Sequence, residues 1–156
     1  MNKILIPFDE SENAKKTIEY VSTHISKDHE ITLFYVVPNT AAACGLDSPS
    51  LTPYFEKERN SFCRMEEQRQ EMMQETLAAA RNELLAAGFD RKKIYIKAQP
   101  QNHNIASDIV QEAQTGRYSM VAMGRRASSG LKEFFIGSNA SRVMHALNGI
   151  PMIIVD

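Results

Sequence analysis

The sequence predicts an α/β fold in which helices cover a parallel sheet of five strands. Two observations support this class. Short apolar runs, each long enough for one buried strand, alternate along the chain with segments whose apolar residues recur every three or four positions. The length of 156 residues suits one domain with a single sizeable core and is too short for two. We therefore expect one domain over residues 1–156.

A predicted strand, helix and strand open the chain. Ile4–Phe8 is a continuous apolar run, which is typical of a strand buried on both faces. Residues 12–26 carry apolar side chains at helical spacing, namely Ala14, Ile18, Val21 and Ile25. Ile31–Val37 is the second apolar run, and Pro38 ends it. Short strands that alternate with helices predict parallel pairing.

An insertion and a long helix come next. Residues 38–55 contain glycine, proline, serine and threonine without a period, so they predict an inserted flexible loop. Residues 56–87 are rich in good helix formers and predict one long helix, which Gly88 is expected to end. The turns over residues 56–70 are far more polar than the rest, so we expect them to project beyond the core or to meet an unidentified protein partner. The core-facing stripe of this helix comprises Met73, Leu77, Ala80 and Leu84.

The rest of the chain repeats the alternation of strands and helices. We expect strands at Ile94–Ala98, Met120–Met123 and Ile150–Val155. Two apolar stripes mark the helices between them: Ile105, Ile109 and Ala113 in the first, and Ala140, Val143, Met144 and Leu147 in the second.

Charge and hydropathy argue against nucleic acid and membrane partners. Eighteen basic and nineteen acidic side chains give a formal net charge of −1, so we expect no basic surface for DNA or RNA. No apolar run approaches the roughly 20 residues of a membrane helix. A strand also stands where a signal peptide would carry its apolar region. We therefore expect a cytoplasmic protein.

The two cysteines, Cys44 and Cys63, are expected to be free thiols. They form no CxxC pair, which excludes the usual redox and zinc motifs. A disulfide between them is the alternative, but disulfides are uncommon in a reducing compartment.

Small residues follow the fourth strand and lead into the last helix. The glycines of this loop, Gly124, Gly130 and Gly137, can adopt positive φ and let a ligand approach the backbone closely. Gly137 and Ser138 lie at the predicted helix start, where N–H groups without helical partners and the helix dipole favour an anion. The loop therefore predicts an anion-binding site.

This loop resembles the signature of the nucleotide-binding branch of the universal stress protein family. That signature has Gly, two residues, Gly, nine residues, then Gly and Ser or Thr, after a strand that ends in Met-Gly. Here Gly124, Ala127 and Gly137-Ser138 occupy its positions, so alanine replaces one glycine. The resemblance implies an open sheet of strand order 3-2-1-4-5 with helices on both faces, as in adenine nucleotide alpha hydrolase-like folds. It extends to three other segments and thus to essentially the whole chain: Ile4–Asp9, Thr32–Val37 and Ile150–Val155.

The resemblance also implies that ATP, with Mg²⁺, binds in the crevice between strands 1 and 4. Adenine would contact the backbone of Val36, and Asp9 would bind the ribose or a phosphate-bound metal ion. The phosphates would lie on the loop that runs from Gly124 to Ser138. The expected binding residues are Pro7, Asp9, Val36, Met123, Gly124, Arg126, Ala127, Gly137, Ser138 and Asn139.

Several of these residues also fit a purely structural role. Asp9 and Glu12 have the spacing of a capping box. Ser138 or Asn139 would suit the N-cap of the last helix. The side chain of Val36 would pack in the core like any strand valine.

Residues inside the loop leave the strength of binding open. Arg125 and Arg126 would offset phosphate charge, although arginines on loops are usually solvated. Ala127 would cost about 1–2 kcal/mol if its position requires positive φ. We read this replacement as weakening nucleotide binding without abolishing it, because alanine keeps its backbone N–H.

Motifs for catalysis are missing from the sequence. It has no GxxxxGK[ST], GxGxxG, HExxH or GxSxG pattern, so we expect no enzyme and at most slow ATP hydrolysis. The leading interpretation is an ATP-binding sensor or regulator of a stress response. The alternative is an interaction module of the same fold that binds no nucleotide. In either case the resemblance implies a homodimer that pairs through the terminal strand, Met152–Val155.

Overall fold

The computed structural model describes residues 2–9, 11–39, 44, 53–125 and 136–156, with side chains of the long helix described from Glu56. Residues 40–43 and 45–52 of the predicted loop lie outside this part of the chain. A short 3-10 turn, Arg91–Lys93, precedes the third strand. In chain order the elements are β1 (Lys3–Pro7), α1 (Glu12–His24), β2 (Glu30–Val37), α2 (Pro53–Ala86), β3 (Ile94–Pro100), α3 (Ile105–Thr115), β4 (Met120–Gly124), α4 (Ser138–Ala146) and β5 (Met152–Val155).

The strands form one parallel sheet in the order β3-β2-β1-β4-β5, which confirms the predicted fold class and strand order. β1 lies at the centre, where Ile4 is in register with Ile31 of β2 and Met120 of β4. The chain adds strands first on one side of β1 and then on the other. This reversal places a crevice at the carboxyl ends of the central strands.

Helices cover both faces of the sheet, as predicted. On one face, α1 and α2 pack against the sheet through the core residues Ile18, Val21, Met73, Leu77 and Leu84. On the other face, α3 and α4 pack against β2 and β4 through Ala106, Ile109, Ala113, Ala140 and Val143. The predicted apolar stripes thus supply both cores, because burying such stripes is what holds the helices on the sheet. Met144 is the exception, since it was expected in the core-facing stripe of α4 but is 42% exposed.

The long helix α2 differs slightly from its predicted bounds. It begins at Pro53, three residues before the predicted start, and proline suits a first turn because its missing N–H would have no helical partner there. It ends at Ala86, and Gly88 follows with φ 97° while the Phe89 N–H donates to the Leu84 carbonyl at 3.1 Å. This arrangement is typical of a glycine C-terminal cap. Neither α2 nor any other helix among the described residues is long and apolar enough to cross a membrane.

The prediction that both cysteines are free thiols was wrong. Cys44 and Cys63 form a disulfide with a Cα–Cα distance of 5.7 Å across a sequence separation of 19. Cys63 lies on α2, and Cys44 lies between β2 and α2. Their pairing depends on the chain folding back onto the helix, a tertiary contact that cysteine spacing does not encode.

Candidate functional site

A crevice opens at the carboxyl ends of β1, β2 and β4 and encloses a cavity of about 590 Å³. This volume lies in the range of small-molecule and cofactor sites. Arg126 and Ala127 lie outside the described residues. Every other expected binding residue lines the cavity: Pro7, Asp9, Val36, Met123, Gly124, Gly137, Ser138 and Asn139.

The first turn of α4 borders the crevice. Gly137 is the N-cap, and it makes no side-chain capping hydrogen bond. The first helical hydrogen bond runs from the Ser141 N–H to the Gly137 carbonyl at 2.9 Å. The N–H groups of the preceding residues, Ser138 and Asn139, therefore have no partner within the helix. Since Ser138 and Asn139 lie inside the helix, the alternative in which one of them is the N-cap was wrong.

Neither of the described motif glycines adopts positive φ. Gly137 has φ −55°, and among the described glycines only Gly88 and Gly149 have positive φ. Gly124 is required for a different reason, because a Cβ there would lie 2.6 Å from the backbone oxygen of Asn13. Glycine at position 124 thus lets α1 pack closely against the end of β4. The capacity of glycine for positive φ is therefore not used at Gly124 or Gly137, and Gly130 lies outside the described residues.

Asp9 follows β1 and stands at the floor of the crevice. Its Oδ1 accepts a hydrogen bond from the Ser11 N–H at 2.8 Å. The N-cap of α1 is Ser11, and Glu12 pairs with Lys15 at 3.0 Å, so the alternative capping box of Asp9 with Glu12 is not formed. The Ser11 N–H therefore orients the Asp9 carboxylate beside the cavity.

One wall of the crevice is apolar. Val36 and Phe34 of β2 are 5% and 1% exposed, and Met123 of β4 is 8% exposed. Ile105 and Ile109 of α3 complete this wall. The side chain of Val36 thus packs in the core, as the structural alternative had it, and the wall to which it belongs offers the apolar surface that is typical of small-molecule sites.

The long helix contributes two lining residues that the sequence analysis did not propose, Arg69 and Met73. Met73 was expected only as a core residue, and it is 2% exposed. Arg69 lies 3.6 Å from the carboxylate of Glu66, one turn earlier on α2. Extending the apolar stripe of α2 by one turn, from Met73 back to position 69, would have found this arginine, because residues four apart share a helix face.

Two other expectations concern charge and metal binding. Arg125 points to the chain terminus, where its Nη1 lies 3.4 Å from the Asp156 carboxylate, and it does not line the cavity. Among the described residues, no group of three or more His, Cys, Asp or Glu side chains is arranged to hold a metal ion.

Comparison with known proteins identifies the family of this chain. The model of the Universal stress protein family matches residues 1–156, and the chain belongs to that family. The chain is 25% identical to universal stress protein YxiE of Bacillus subtilis (strain 168) over 154 residues, which cover 99% of this chain and 98% of that protein.

Solved structures show the same fold. The structure of hypothetical protein MJ0577 superposes with a TM-score of 0.71 at 22% identity, covering 99% of this chain and 94% of that one. A universal stress protein from Archaeoglobus fulgidus, solved in complex with dAMP, superposes with a TM-score of 0.64 at 15% identity, covering 100% and 98%.

Proposed function

We propose that the crevice binds an adenine nucleotide, ATP with Mg²⁺, and that the protein acts as a nucleotide-dependent sensor or regulator in a stress response. The observation that carries this proposal is the convergence of residues from β1, β2, β4 and α4 on one cavity. Gly124, Gly137 and Ser138 occupy positions of the nucleotide-binding signature, which supports the proposal. The A. fulgidus relative in complex with dAMP supports an adenine nucleotide as the ligand class.

The ligand is oriented by the chemistry of the crevice walls. The adenine ring lies against the apolar wall of Val36 and Met123, and the ribose lies near the Asp9 carboxylate. The phosphates lie at the first turn of α4, because the N–H groups of Ser138 and Asn139 and the helix dipole favour negative charge. Asp9 would hold a Mg²⁺ ion that accompanies the phosphates, and the ion would offset their negative charge.

We propose no catalytic role for the crevice. The described lining residues include no lysine or histidine beside the first turn of α4 to activate water or a leaving group. The nucleotide acts instead by stabilising the folded form to which it binds, by mass action. The cytoplasm remains the location proposed for the protein, and cell fractionation tests it.

Calorimetric titration of nucleotide-stripped protein with Mg·ATP and with dAMP tests the proposal. Replacing Gly137 with leucine fits the φ of −55° but crowds the cavity, so we expect at least a tenfold loss of affinity with an unchanged circular dichroism spectrum. His145→Leu, on the exposed side of the same helix and away from the crevice, is the matched control. Retained affinity in Gly137→Leu would refute the site.

A second candidate is the dimeric interaction module that binds no nucleotide. The observation in its favour is β5, an edge strand whose side chains from Met152 to Val155 are all half-buried. Such an edge invites pairing with the same strand of a second copy, and we propose this homodimer for either function. Sedimentation as a monomer at micromolar concentration would count against it. If calorimetric titration with adenine nucleotides shows no binding heat, the interaction module is favoured over the nucleotide-binding sensor.

A further inference from the structure

The turns of α2 that precede Met73 bury few side chains in the core. The buried stripe of α2 begins at Met73, and among the described side chains from Glu56 to Met72 only Glu66 is buried. Segments with few buried contacts open locally at low free energy. Core packing alone therefore fixes Met73 better than it fixes Arg69, one turn earlier.

The disulfide supplies an attachment at the right place. Cys63 lies six residues before Arg69, about 9 Å along the helix axis. Its partner Cys44 lies six residues after Pro38, which lines the cavity directly after β2. The disulfide thus joins Cys44, which lies six residues beyond a lining residue at the end of β2, to the helix that carries Arg69.

We propose that Cys44 and Cys63 form a reversible thiol-oxidation site that sets the ligand affinity of the crevice, with the disulfide form binding nucleotide more tightly than the dithiol form. This inference rests on the proposed nucleotide-binding function. The disulfide removes conformations in which the first half of α2 has moved away from the core. The ligand then meets a wall that already carries Arg69 in place, which lowers the cost of ordering it on binding.

The oxidation proceeds by thiol–disulfide exchange with a low-molecular-weight disulfide such as oxidised glutathione. The thiolate of one cysteine attacks that disulfide, forms a mixed disulfide and releases one thiol. The thiolate of the other cysteine then attacks the protein sulfur and releases the second thiol. Two electrons pass from the protein to the reagent, and two protons leave the cysteines for the released thiols. Cys44 and Cys63 are each half-buried, so a small reagent reaches them.

Thermodynamic linkage makes the coupling reciprocal. If oxidation raises the affinity for nucleotide by some factor, saturating nucleotide must shift the dithiol–disulfide equilibrium towards the disulfide by the same factor. The equilibrium can be measured in glutathione buffers of graded composition, with and without Mg·ATP. If the disulfide and the crevice are coupled, the factor by which Mg·ATP shifts the dithiol–disulfide equilibrium should equal the factor by which oxidation raises the affinity for Mg·ATP, and both should exceed one.

The direct test titrates oxidised and fully reduced wild-type protein with Mg·ATP and with dAMP. We expect the oxidised form to bind on the order of tenfold more tightly. Cys63→Ser should bind like the reduced form and should ignore reductant, and the double variant Cys44→Ser, Cys63→Ser serves as the control for effects of the reductant itself. Binding of equal strength in both redox forms would overturn the inference and leave the proposed function intact.

Absence of binding in both forms would instead overturn the proposed function. Hydrogen exchange over residues 63–73 then tests the remaining structural step, the attachment of α2 at the crevice. Faster exchange of this segment after reduction, with unchanged exchange around Leu84, supports the attachment. Equal exchange in the two forms overturns it.

Discussion

The two halves of α2 differ in how much of their apolar surface is buried. In the second half, Met73, Leu77, Ala80 and Leu84 are at most 6% exposed and form part of one core cluster. In the first half, the apolar side chains Phe62, Met65 and Met72 are 37%, 63% and 57% exposed. One continuous helix of 34 residues thus packs on the sheet through its second half and borders the crevice near its middle, at Arg69 and Met73. Helical structure alone does not show which residues stabilise the fold.

The largest expected difference between the halves is in stability. Leu84 is 0% exposed, and Leu84→Ala should lower the free energy of unfolding by about 2–5 kcal/mol, because it removes apolar contacts and leaves a cavity. Met65→Ala, in the first half, should change it by less than about 0.5 kcal/mol. Urea denaturation of both variants in the oxidised form measures the contrast. Similar losses in the two variants would mean that the first half also packs on the core.

A smaller difference should separate two arginines of the first half. Arg69 lines the crevice and is 46% exposed, whereas Arg64 is exposed and does not line it. Arg69→Gln should weaken Mg·ATP binding roughly fivefold, about 1 kcal/mol, since the interaction is partly screened by solvent. Arg64→Gln should leave the affinity unchanged. The loss should shrink as salt is added. Unchanged affinity in Arg69→Gln would mean that α2 contributes no charge to nucleotide binding and that the phosphates are bound by the first turn of α4 without Arg69.

The features that the sequence predicted correctly depend on local periodicity. The stripe from Met73 to Leu84 has helical spacing, and the strand runs are short and apolar, so both cores followed from the pattern. The convergence of Asp9 and Gly124 on one cavity followed from the strand order that the family resemblance implied, because this order places the ends of β1 and β4 side by side.

The features that it missed depend on tertiary contacts. The disulfide requires Cys44 to reach α2, and no spacing rule expresses that. Arg69 borders the crevice from α2, one turn before the core residue Met73, and the apolar pattern of the helix does not mark it. Gly124 was singled out because glycine can adopt positive φ and lets a ligand approach the backbone, but the constraint is the backbone of Asn13, a residue of a different element. In each case the missing information is the position of a neighbour distant in sequence.

The smallest expected effect concerns a charge at the end of the core-forming half. Burial from water, and secondarily the negative charge of Glu19 on α1, raise the pKa of Glu83 above its ordinary value of 4.5. The folded state therefore binds the proton more readily than the unfolded state, and the stability linked to this proton is fully present below about pH 4.5 and is lost as pH rises through the raised pKa. Glu83→Gln mimics the protonated form.

At pH 7 the Glu83→Gln variant should accordingly be more stable than the wild type. Because the side chain is exposed and solvent screens its charge, we expect a gain below about 0.5 kcal/mol. The gain should disappear near pH 4, where the wild-type carboxyl is itself protonated. Urea denaturation at both pH values measures it, with Glu67→Gln in the exposed first half as the control for the charge change. A stability gain that grows on acidification, or an equal gain in Glu67→Gln, would contradict this prediction. Either result would show that burial and the charge of Glu19 do not disfavour the Glu83 carboxylate in the folded state.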